Sequence, residues 1–380
     1  MSPMTSRERV LITLNHEQPD RVPLVLGGDL TTGIQTGAYQ RLKQALGMEL
    51  EDRYLYDWPE LGAVDPDEAV LRALGSDVRG VFDRFPKATY ARNAARPPHS
   101  PYVNDWGVGS PEISPGNFYP GIHPLEKAVT IEEITRYPDW PDMSDPDRVA
   151  GAAERAAALA QKGEYAVIGS PWLLFPLERS VQMQGMQAFF INLASNPDFA
   201  VALLRHVLEL CKALMDPFLR AVGEHLDMIV TGDDLGTQES LLVSPRMYRR
   251  LIKPIHAEWL AFIRERTKAK IYFHSDGDVF LLLDDFVEIG VDILNPVQAS
   301  GRMADIAALK QRYGKRLCFC GGVDTQHLLP NGSPAEVRAG VRRMVETLGP
   351  GGGYLLASVH SITNDVPAEN ILAMAGAERG

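Results

Sequence analysis

The sequence is poor in cysteine and in positive charge, and it lacks a long apolar run. Its cysteines are Cys211, Cys318 and Cys320, an odd and sparse set that excludes a disulfide framework and fits a reducing compartment. A formal net charge of −11 argues against the excess of lysine and arginine with which proteins bind nucleic acid. No run approaches the roughly 20 apolar residues of a membrane span, and the N-terminal stretch lacks the apolar region of a signal peptide. We therefore expect a soluble cytoplasmic protein that binds neither nucleic acid nor membrane.

Eight short apolar runs punctuate the chain, and amphipathic helical segments separate the later ones. The runs are RVPLVLGGD, SDVRGVFD, YAVIGSPW, LDMIVTGDD, KIYFHSDGD, VDILNPVQ, LCFCGGVD and GYLLASVHS. The segment PAEVRAGVRRMVETLG is the clearest helix, because Ser333 precedes it as an N-cap and its valines recur at helical spacing. Apolar strands that alternate with helices are typical of a parallel sheet buried on both faces. Eight such units predict a (β/α)8 TIM barrel, with residues 1–380 as a single domain.

The segment from about residue 86 to residue 141 departs from this alternation. It is rich in proline, glycine and aromatic residues, with RPPHSPYVNDWGVGSPEISPGNFYPGIHP at its centre. We expect an insertion in the barrel that contains a hairpin. Two interpretations are open: the insertion covers part of the barrel mouth, or it is a surface loop with some aromatic packing.

Polar residues collect at the ends of the predicted strands, which is where barrels of this type carry their active sites. These residues are Asp29, Asp83, Trp172, Asp233, Asp234, His274, Asp276, Gln298, Asp324 and His360. Their convergence predicts an enzyme, although aspartate at such a position also serves as the N-cap of the next helix. Trp172 is either an aromatic platform for a ligand or a packing residue beneath the insertion.

His274 and Asp276 lie two residues apart as the chain leaves a strand, so their side chains project to the same side. His360 ends the last predicted strand and faces the same mouth. Two imidazoles and a carboxylate with an open position are typical of a catalytic Zn²⁺ or similar divalent site. The alternative is a hydrogen-bonded histidine beside a helix-capping aspartate. Cys318 and Cys320 share one face of a strand, and we interpret them as buried apolar side chains rather than as metal ligands.

Five motifs resemble the uroporphyrinogen decarboxylase superfamily, in the expected order: TSRERVLITLNHEQPDRVPLVLGG, TGDDLGTQESLLVSPRMYRRLIKPIHAEW, IYFHSDGDV, FCGGVDTQHLL and DVPAENILAM. The resemblance implies a single-domain (β/α)8 barrel with its site at the C-terminal mouth, often as a homodimer. True decarboxylases have an arginine-rich segment after the first strand, but VLGGDLTTGIQTG contains no arginine to hold the carboxylates of uroporphyrinogen. The resemblance therefore favours the methyltransferase branch, whose members exchange a methyl group with a corrinoid or a thiol.

Members of that branch use a zinc site with a His-x-Cys motif and a second cysteine after the last strand. His274 matches the histidine, Asp276 stands at the first cysteine position, and His360 stands near the second. Histidine and aspartate suit a harder ion or an oxygen-bearing substrate, which puts thiol chemistry in doubt. The resemblance thus implies Zn²⁺ or another divalent ion at these three residues. It also implies methyl transfer from a small methylated compound to a corrinoid or folate-type acceptor, with a corrinoid protein as a partner.

The strand-end cluster and the resemblance together assign roles to individual residues. We expect Asp234, His274 and Asp276 to act in catalysis. The residues expected to bind substrate are Asp29, Trp172, Asp233, Gln238, Gln298 and Asp324. Two alternative functions stay open: a metal-independent lyase acting on a smaller carboxylated substrate, with Asp234 as acid or base, and a non-catalytic protein that binds a corrinoid or tetrapyrrole.

Overall fold

The protein is seen in a computed structural model that describes residues 4–97, 99–114, 117–172 and 175–377, without the side chains of residues 60, 114 and 117. Within these residues one large sheet is formed by seven parallel strands in chain order: β1 Val78–Val81, β2 Ala166–Gly169, β3 Met228–Gly232, β4 Lys270–His274, β5 Ile293–Val297, β6 Cys318–Val323 and β7 Tyr354–Ser358. Nearly every strand residue is buried, as the continuous apolar runs predict for a sheet covered on both faces. Seven of the eight predicted strands are therefore confirmed.

The first predicted strand is an extended segment, residues 22–26, rather than a regular strand. It forms a single parallel bridge, from Leu24 to Leu356 of β7. The Val25 N–H donates to the Leu356 carbonyl at 2.8 Å. At the other edge of the sheet, the Asp77 N–H donates to the Leu24 carbonyl at 2.9 Å, one residue before β1. The fold is thus an α/β, TIM-barrel-like arrangement in which this segment contacts both edge strands.

Helices follow most of the strands and cover the outside of the sheet. The α-helices are Ser6–Leu14, Thr36–Ala45, Glu68–Leu74, Lys87–Ala94, Ile131–Arg136, Ala152–Lys162, Pro176–Gln184, Met186–Ser195, Pro197–Val222, Pro245–Met247, Lys253–Arg264, Leu283–Ile289, Ile306–Tyr313, Leu328–Asn331, Pro334–Leu348 and Ala368–Gly376. A π-helical turn spans Tyr248–Ile252, and 3-10 turns span Leu55–Asp57, Pro59–Leu61, Pro146–Val149, Phe280–Leu282 and Gly301–Ala304. The predicted cap is confirmed, since Ser333 and Glu336 form a reciprocal capping box. No described helix is long and apolar enough to cross a membrane.

The insertion contains two hairpins rather than one. Tyr102–Val103 pairs with Gly109–Ser110, and Glu112–Ser114 pairs with Asn117–Phe118, both antiparallel. Some of its aromatic residues pack inward: Tyr102 stacks on Trp58 with ring centroids 3.9 Å apart, and Trp106 is buried, whereas Tyr119 is exposed. The expected aromatic packing is therefore present.

The cysteines are free and buried, as expected for apolar packing residues. Cys318 and Cys320 lie among apolar side chains inside the barrel, and Cys211 lies in the long helix Pro197–Val222. Burial raises the pKa of both Cys318 and Cys320 to about 12, which keeps these thiols protonated and unreactive at neutral pH.

Candidate functional site

His274, Asp276 and His360 come together at the C-terminal ends of β4 and β7. Each offers one ligand atom, and these atoms all lie within 4.8 Å of one another. His274 Nε2 is 3.8 Å from Asp276 Oδ1, and the rings of His274 and His360 are 5.7 Å apart between centroids. The three residues form the cluster that strand-end spacing predicts, while metal binding itself stays a prediction.

The donors of this cluster fit a divalent ion. Asp276 Oδ1 is buried and has no hydrogen-bond partner among the described residues. His274 Nε2 is 3.8 Å from both Asp276 Oδ1 and Asp234 Oδ1, too far for a hydrogen bond. Such a gap accommodates an ion whose bonds to nitrogen and oxygen are about 2.0–2.2 Å long. An unpartnered buried carboxylate oxygen is costly unless an ion or another donor satisfies it.

Asn295 orients His274 towards the cluster. The pairing of β4 with β5 places it opposite His274, and its Oδ1 accepts a hydrogen bond from His274 Nδ1 at 2.6 Å. Thr31 Oγ1, whose proton is directed at Asp29, lies 3.2 Å from the same oxygen. A proton on Nδ1 leaves the lone pair of Nε2 free for a ligand, which is the arrangement that metal-binding histidines use. The sequence interpretation missed Asn295, whose signal is a polar residue inside the apolar run VDILNPVQ.

The two imidazoles of the cluster differ in proton affinity. Burial lowers the pKa of His274, but the carboxylates of Asp276 and Asp234 outweigh it, and the pKa is raised overall. Burial lowers the pKa of His360, and this effect prevails over the opposing charge of Asp276. The cluster thus holds one imidazole that favours a positive charge and one that favours neutrality. A divalent ion would take the place of the proton on His274.

Asp234 and Asp233 follow β3 and point in different directions. Asp234 Oδ1 accepts the Asp276 N–H at 2.9 Å, so this carboxylate both holds the Asp276 loop and faces the cluster. Asp233 is fully buried, and its carboxylate accepts the backbone N–H groups of Leu177 at 3.0 Å and Glu178 at 2.6 Å. It thereby caps the start of the helix Pro176–Gln184. Contact of Asp233 with substrate stays a prediction that this geometry does not favour.

Asp29 and Trp172 have partners within the fold. The Asp29 carboxylate accepts hydrogen bonds from the backbone and hydroxyl groups of Thr31 and Thr32. The Trp172 ring packs edge-on against Tyr56, with centroids 5.0 Å apart. Trp172 also shares an apolar cluster with Tyr102 of the insertion, which agrees with a packing role, and substrate binding by Asp29 and Trp172 stays a prediction.

Gln238, Gln298 and Asp324 line one cavity together with Asp276 and His360. The cavity volume is about 970 Å³. Gln298 Oε1 accepts the backbone N–H of residue 277 at 2.8 Å, and its Nε2 donates to Gln238 Oε1 at 2.7 Å. The structure therefore brings five of the predicted site residues to one cavity.

Glu178 is a candidate site residue that the sequence interpretation missed. Burial, followed by the nearby charge of Asp234, raises the pKa of Glu178 to about 7. The same two carboxylates, after burial, raise the pKa of Tyr119, which belongs to the insertion. The weak signal for Glu178 is its place in a proline-initiated helix soon after a strand end.

A parallel sheet with outer helices and a polar cluster at its C-terminal strand ends defines a TIM-barrel-like α/β protein with a candidate ligand site at the mouth. The family model described as uroporphyrinogen decarboxylase (URO-D) matches residues 118–379, and the chain belongs to this family. The family membership expected from the sequence motifs is confirmed.

Two relatives illustrate the similarity. A uroporphyrinogen decarboxylase from Azotobacter vinelandii (strain DJ / ATCC BAA-1303) is 26% identical over 240 residues, which cover 59% of this chain and 62% of that protein. The match thus spans less than two thirds of the relative's length. The solved structure of a methyltransferase from Methanosarcina mazei aligns over 98% of both chains, with a TM-score of 0.65 and 17% sequence identity. This second likeness establishes a shared fold.

Proposed function

We propose that this protein is a metal-dependent enzyme that moves a methyl group from a small oxygen- or nitrogen-methylated compound to a corrinoid or folate-type acceptor. The observation that carries the proposal is the cluster of His274, Asp276 and His360 around an unpartnered buried oxygen. These residues would hold a divalent ion, preferably Zn²⁺, which when bound supplies Lewis acidity to the heteroatom that loses the methyl group. The methyltransferase fold of the solved relative supports this branch of the family.

The residues around the cluster have distinct tasks in this proposal. Asn295 keeps His274 in the tautomer that leaves Nε2 free. Gln298 and Gln238, joined by a hydrogen bond, present amide groups that orient a polar substrate in the cavity. Glu178, with a pKa near 7 beside Asp234, holds or releases a proton at Oε2, the oxygen that Gln182 does not contact.

Uroporphyrinogen itself is a poor candidate substrate. The loop after residues 22–26 contains no arginine, and Asp29 uses its carboxylate to hold Thr31 and Thr32. A substrate with many carboxylates would find no guanidinium groups in this loop. We extend the proposal to the fold and the assembly. Residues 22–26 complete an eighth barrel position, and residues 1–380 form one domain. Two copies of the chain pair as a homodimer, and a corrinoid protein is the partner.

A lyase acting on a smaller carboxylated substrate is the second candidate. The neighbouring carboxyl groups of Glu178 and Asp234 favour it, because close carboxyl pairs can exchange protons with a substrate near neutral pH. The decarboxylase from Azotobacter vinelandii also supports it. Release of CO2 that persists in the presence of a chelator would select the lyase over the methyltransferase.

Metal binding is the direct test. Calorimetric titration with Zn²⁺ should show one site in the native protein, with at least about tenfold weaker binding in His274→Ala and Asp276→Asn, because each change removes a charge or a lone pair from the ligand set. His327→Ala is the matched control, since His327 lines the same cavity outside the cluster. Native protein that binds no Zn²⁺, or a His274→Ala variant that binds it as tightly, would contradict the proposal.

Methyl transfer to free cobalamin, followed by the visible spectrum of the cobalamin, then tests the reaction. A tight coloured complex without turnover would indicate a binding protein instead.

A further inference from the structure

The cavity at the barrel mouth extends well beyond the three clustered residues. One side carries Asp276 and His360, and its lining continues along residues 324–328 after β6 to the helix Pro334–Leu348. Its volume of about 970 Å³ lies at the upper end of the range for pockets that enclose a whole ligand. A methyl group and the heteroatom that carries it need only a small part of this space. The rest of the cavity therefore has room for a second recognition element.

Two basic side chains line this outer part, Arg343 from the helix and His327 from the preceding turn. Both are exposed, and in the part of the chain that the structure describes neither side chain forms an ion pair. Asp324 also lines the cavity, and its Oδ1 already accepts the N–H groups of Gln326 at 2.6 Å and His327 at 2.9 Å. Arg343 therefore presents a guanidinium without a carboxylate partner among the described residues, at the wall of a cavity that also contains Asp276 and His360.

The packing of the turn against the helix brings these two residues to one wall. A Cβ added at Gly340 would lie 2.6 Å from Leu328 Cδ2, so the turn and the helix approach closely at this point. His327 directly precedes Leu328, and Arg343 lies three residues after Gly340 on the same helical face. Both basic side chains thus flank the same contact.

We propose that Arg343 and His327 form an anion-binding subsite for a carboxylate or phosphate group on the substrate or on the methyl acceptor. Arginine binds such groups through its planar fork of N–H donors, and the imidazole adds a further donor. The subsite makes the preferred ligand an elongated anion whose other end reaches the cluster of His274, Asp276 and His360. Only the reach of the ligand to this cluster rests on the proposed function. The binding of the anion by Arg343 and His327 does not.

Calorimetric titration of the chelator-treated protein with inorganic phosphate and with succinate tests the subsite. At least one of these anions should bind the native protein, and Arg343→Ala should weaken that binding about tenfold or more, which corresponds to the loss of ~1.4 kcal/mol. His327→Ala should weaken it less, because an imidazole offers fewer N–H donors than a guanidinium. Arg342→Ala is the matched control: it removes the same charge from the same exposed helix, but residue 342 does not line the cavity. The anion that binds more tightly identifies the group that the substrate carries.

Two outcomes would overturn the subsite: neither anion binds the native protein, or the Arg343→Ala and Arg342→Ala variants lose affinity equally. The protein is free of metal in this titration, so a failure here leaves the Zn²⁺ result intact. In the same way, a protein that binds succinate or phosphate through Arg343 but no Zn²⁺ would keep the subsite and reject the metal-dependent function.

Discussion

Asp276 Oδ1 is buried without a hydrogen-bond partner among the described residues, and the resemblance to the methyltransferase branch implies a cysteine at this position in those enzymes. Asp234 holds the backbone of this residue through a 2.9 Å hydrogen bond, so the carboxylate is held beside His274. A carboxylate is a harder ligand than a thiolate and leaves a bound divalent ion more Lewis acidic. This single exchange is the reason that we favour an oxygen- or nitrogen-methylated substrate over a thiol.

Restoring the cysteine should change the ligand field of the site. With Co²⁺ as a spectroscopic substitute for Zn²⁺, Asp276→Cys should gain the intense near-ultraviolet charge-transfer absorption of a thiolate ligand, which the native protein lacks. Asp284→Cys, at an exposed position outside the cavity, should show no such band. A variant that binds Co²⁺ without the band would mean that residue 276 does not reach the ion.

The cluster was predictable from the sequence because its members end strands, and the residues around it were not. His274 and Asp276 alternate along an extended chain, so their common direction follows from the sequence pattern alone. Asn295 lies within a strand, and its contact with His274 depends on the register between β4 and β5. The position of Glu178 depends on where in space the helix Pro176–Gln184 begins. The position of Arg343 at the cavity wall depends on how the helix Pro334–Leu348 is rotated about its axis. Periodicity alone fixes neither of these.

At the scale of whole elements, the end of β1 is tied to the loop that follows β2 by a buried carboxyl group. Asp83 Oδ1 accepts the backbone N–H of Trp172 at 2.7 Å. Burial raises the pKa of Asp83 to about 7, although this hydrogen bond and the charge of Arg148 act in the opposite direction. The folded protein therefore keeps a proton on Asp83 at pH values where the unfolded chain has lost it.

This difference predicts a pH-dependent stability. Between the ordinary aspartate pKa and about pH 7 the folded state binds more protons than the unfolded state, so the free energy of unfolding falls as the pH rises. Asp83→Asn imitates the neutral carboxyl group. It should remove the part of the fall in the free energy of unfolding that Asp83 causes, on the order of 3 kcal/mol between pH 4 and pH 8. Urea unfolding of both proteins at several pH values measures the difference. Asp139→Asn, an exposed control, should keep the native slope; an unchanged slope in Asp83→Asn would contradict the prediction.

The strands were the most predictable elements, and the segments that join them were the least. Seven apolar runs became strands because burial on both faces demands a continuous apolar sequence. The run at residues 22–26 has the same composition but forms a single bridge, at Leu24. The insertion showed its aromatic packing in its composition, yet the stacking of Tyr102 on Trp58 is a tertiary contact that composition does not encode.

At the scale of the whole molecule, the two edges of the sheet meet at residues 22–26, and the buried Asp77 fixes this junction. Its carboxylate accepts the Leu24 N–H at 2.8 Å and pairs with Arg9 at 2.8 Å and with Arg21 at 2.7 Å. This buried carboxylate thus joins Arg9 and residues 21–24 to the start of β1, and its removal leaves Arg21 without this anion and Arg9 with Asp20 alone. A substitution at Asp77 therefore tests both the closure of the barrel and the cooperative unfolding of the chain as a single domain.

Asp77→Ala should destabilise the protein by about 3–5 kcal/mol, because it breaks a buried charge network. Asp284→Ala is the matched control, since Asp284 also has two arginine partners, Arg312 and Arg316. All three of these side chains are exposed, and such pairs contribute ~1 kcal/mol or less.

Hydrogen exchange at Val25 tests whether the barrel is closed. In the native protein a closed barrel predicts that the Val25 amide exchanges its hydrogen as slowly as amides in the central strand β4. It also predicts that all spectroscopic probes report one unfolding transition. In Asp77→Ala the Val25 amide should lose its protection first. Fast exchange at Val25 in the native protein would show that the sheet opens between β7 and β1, and that the eighth position of the barrel is not held.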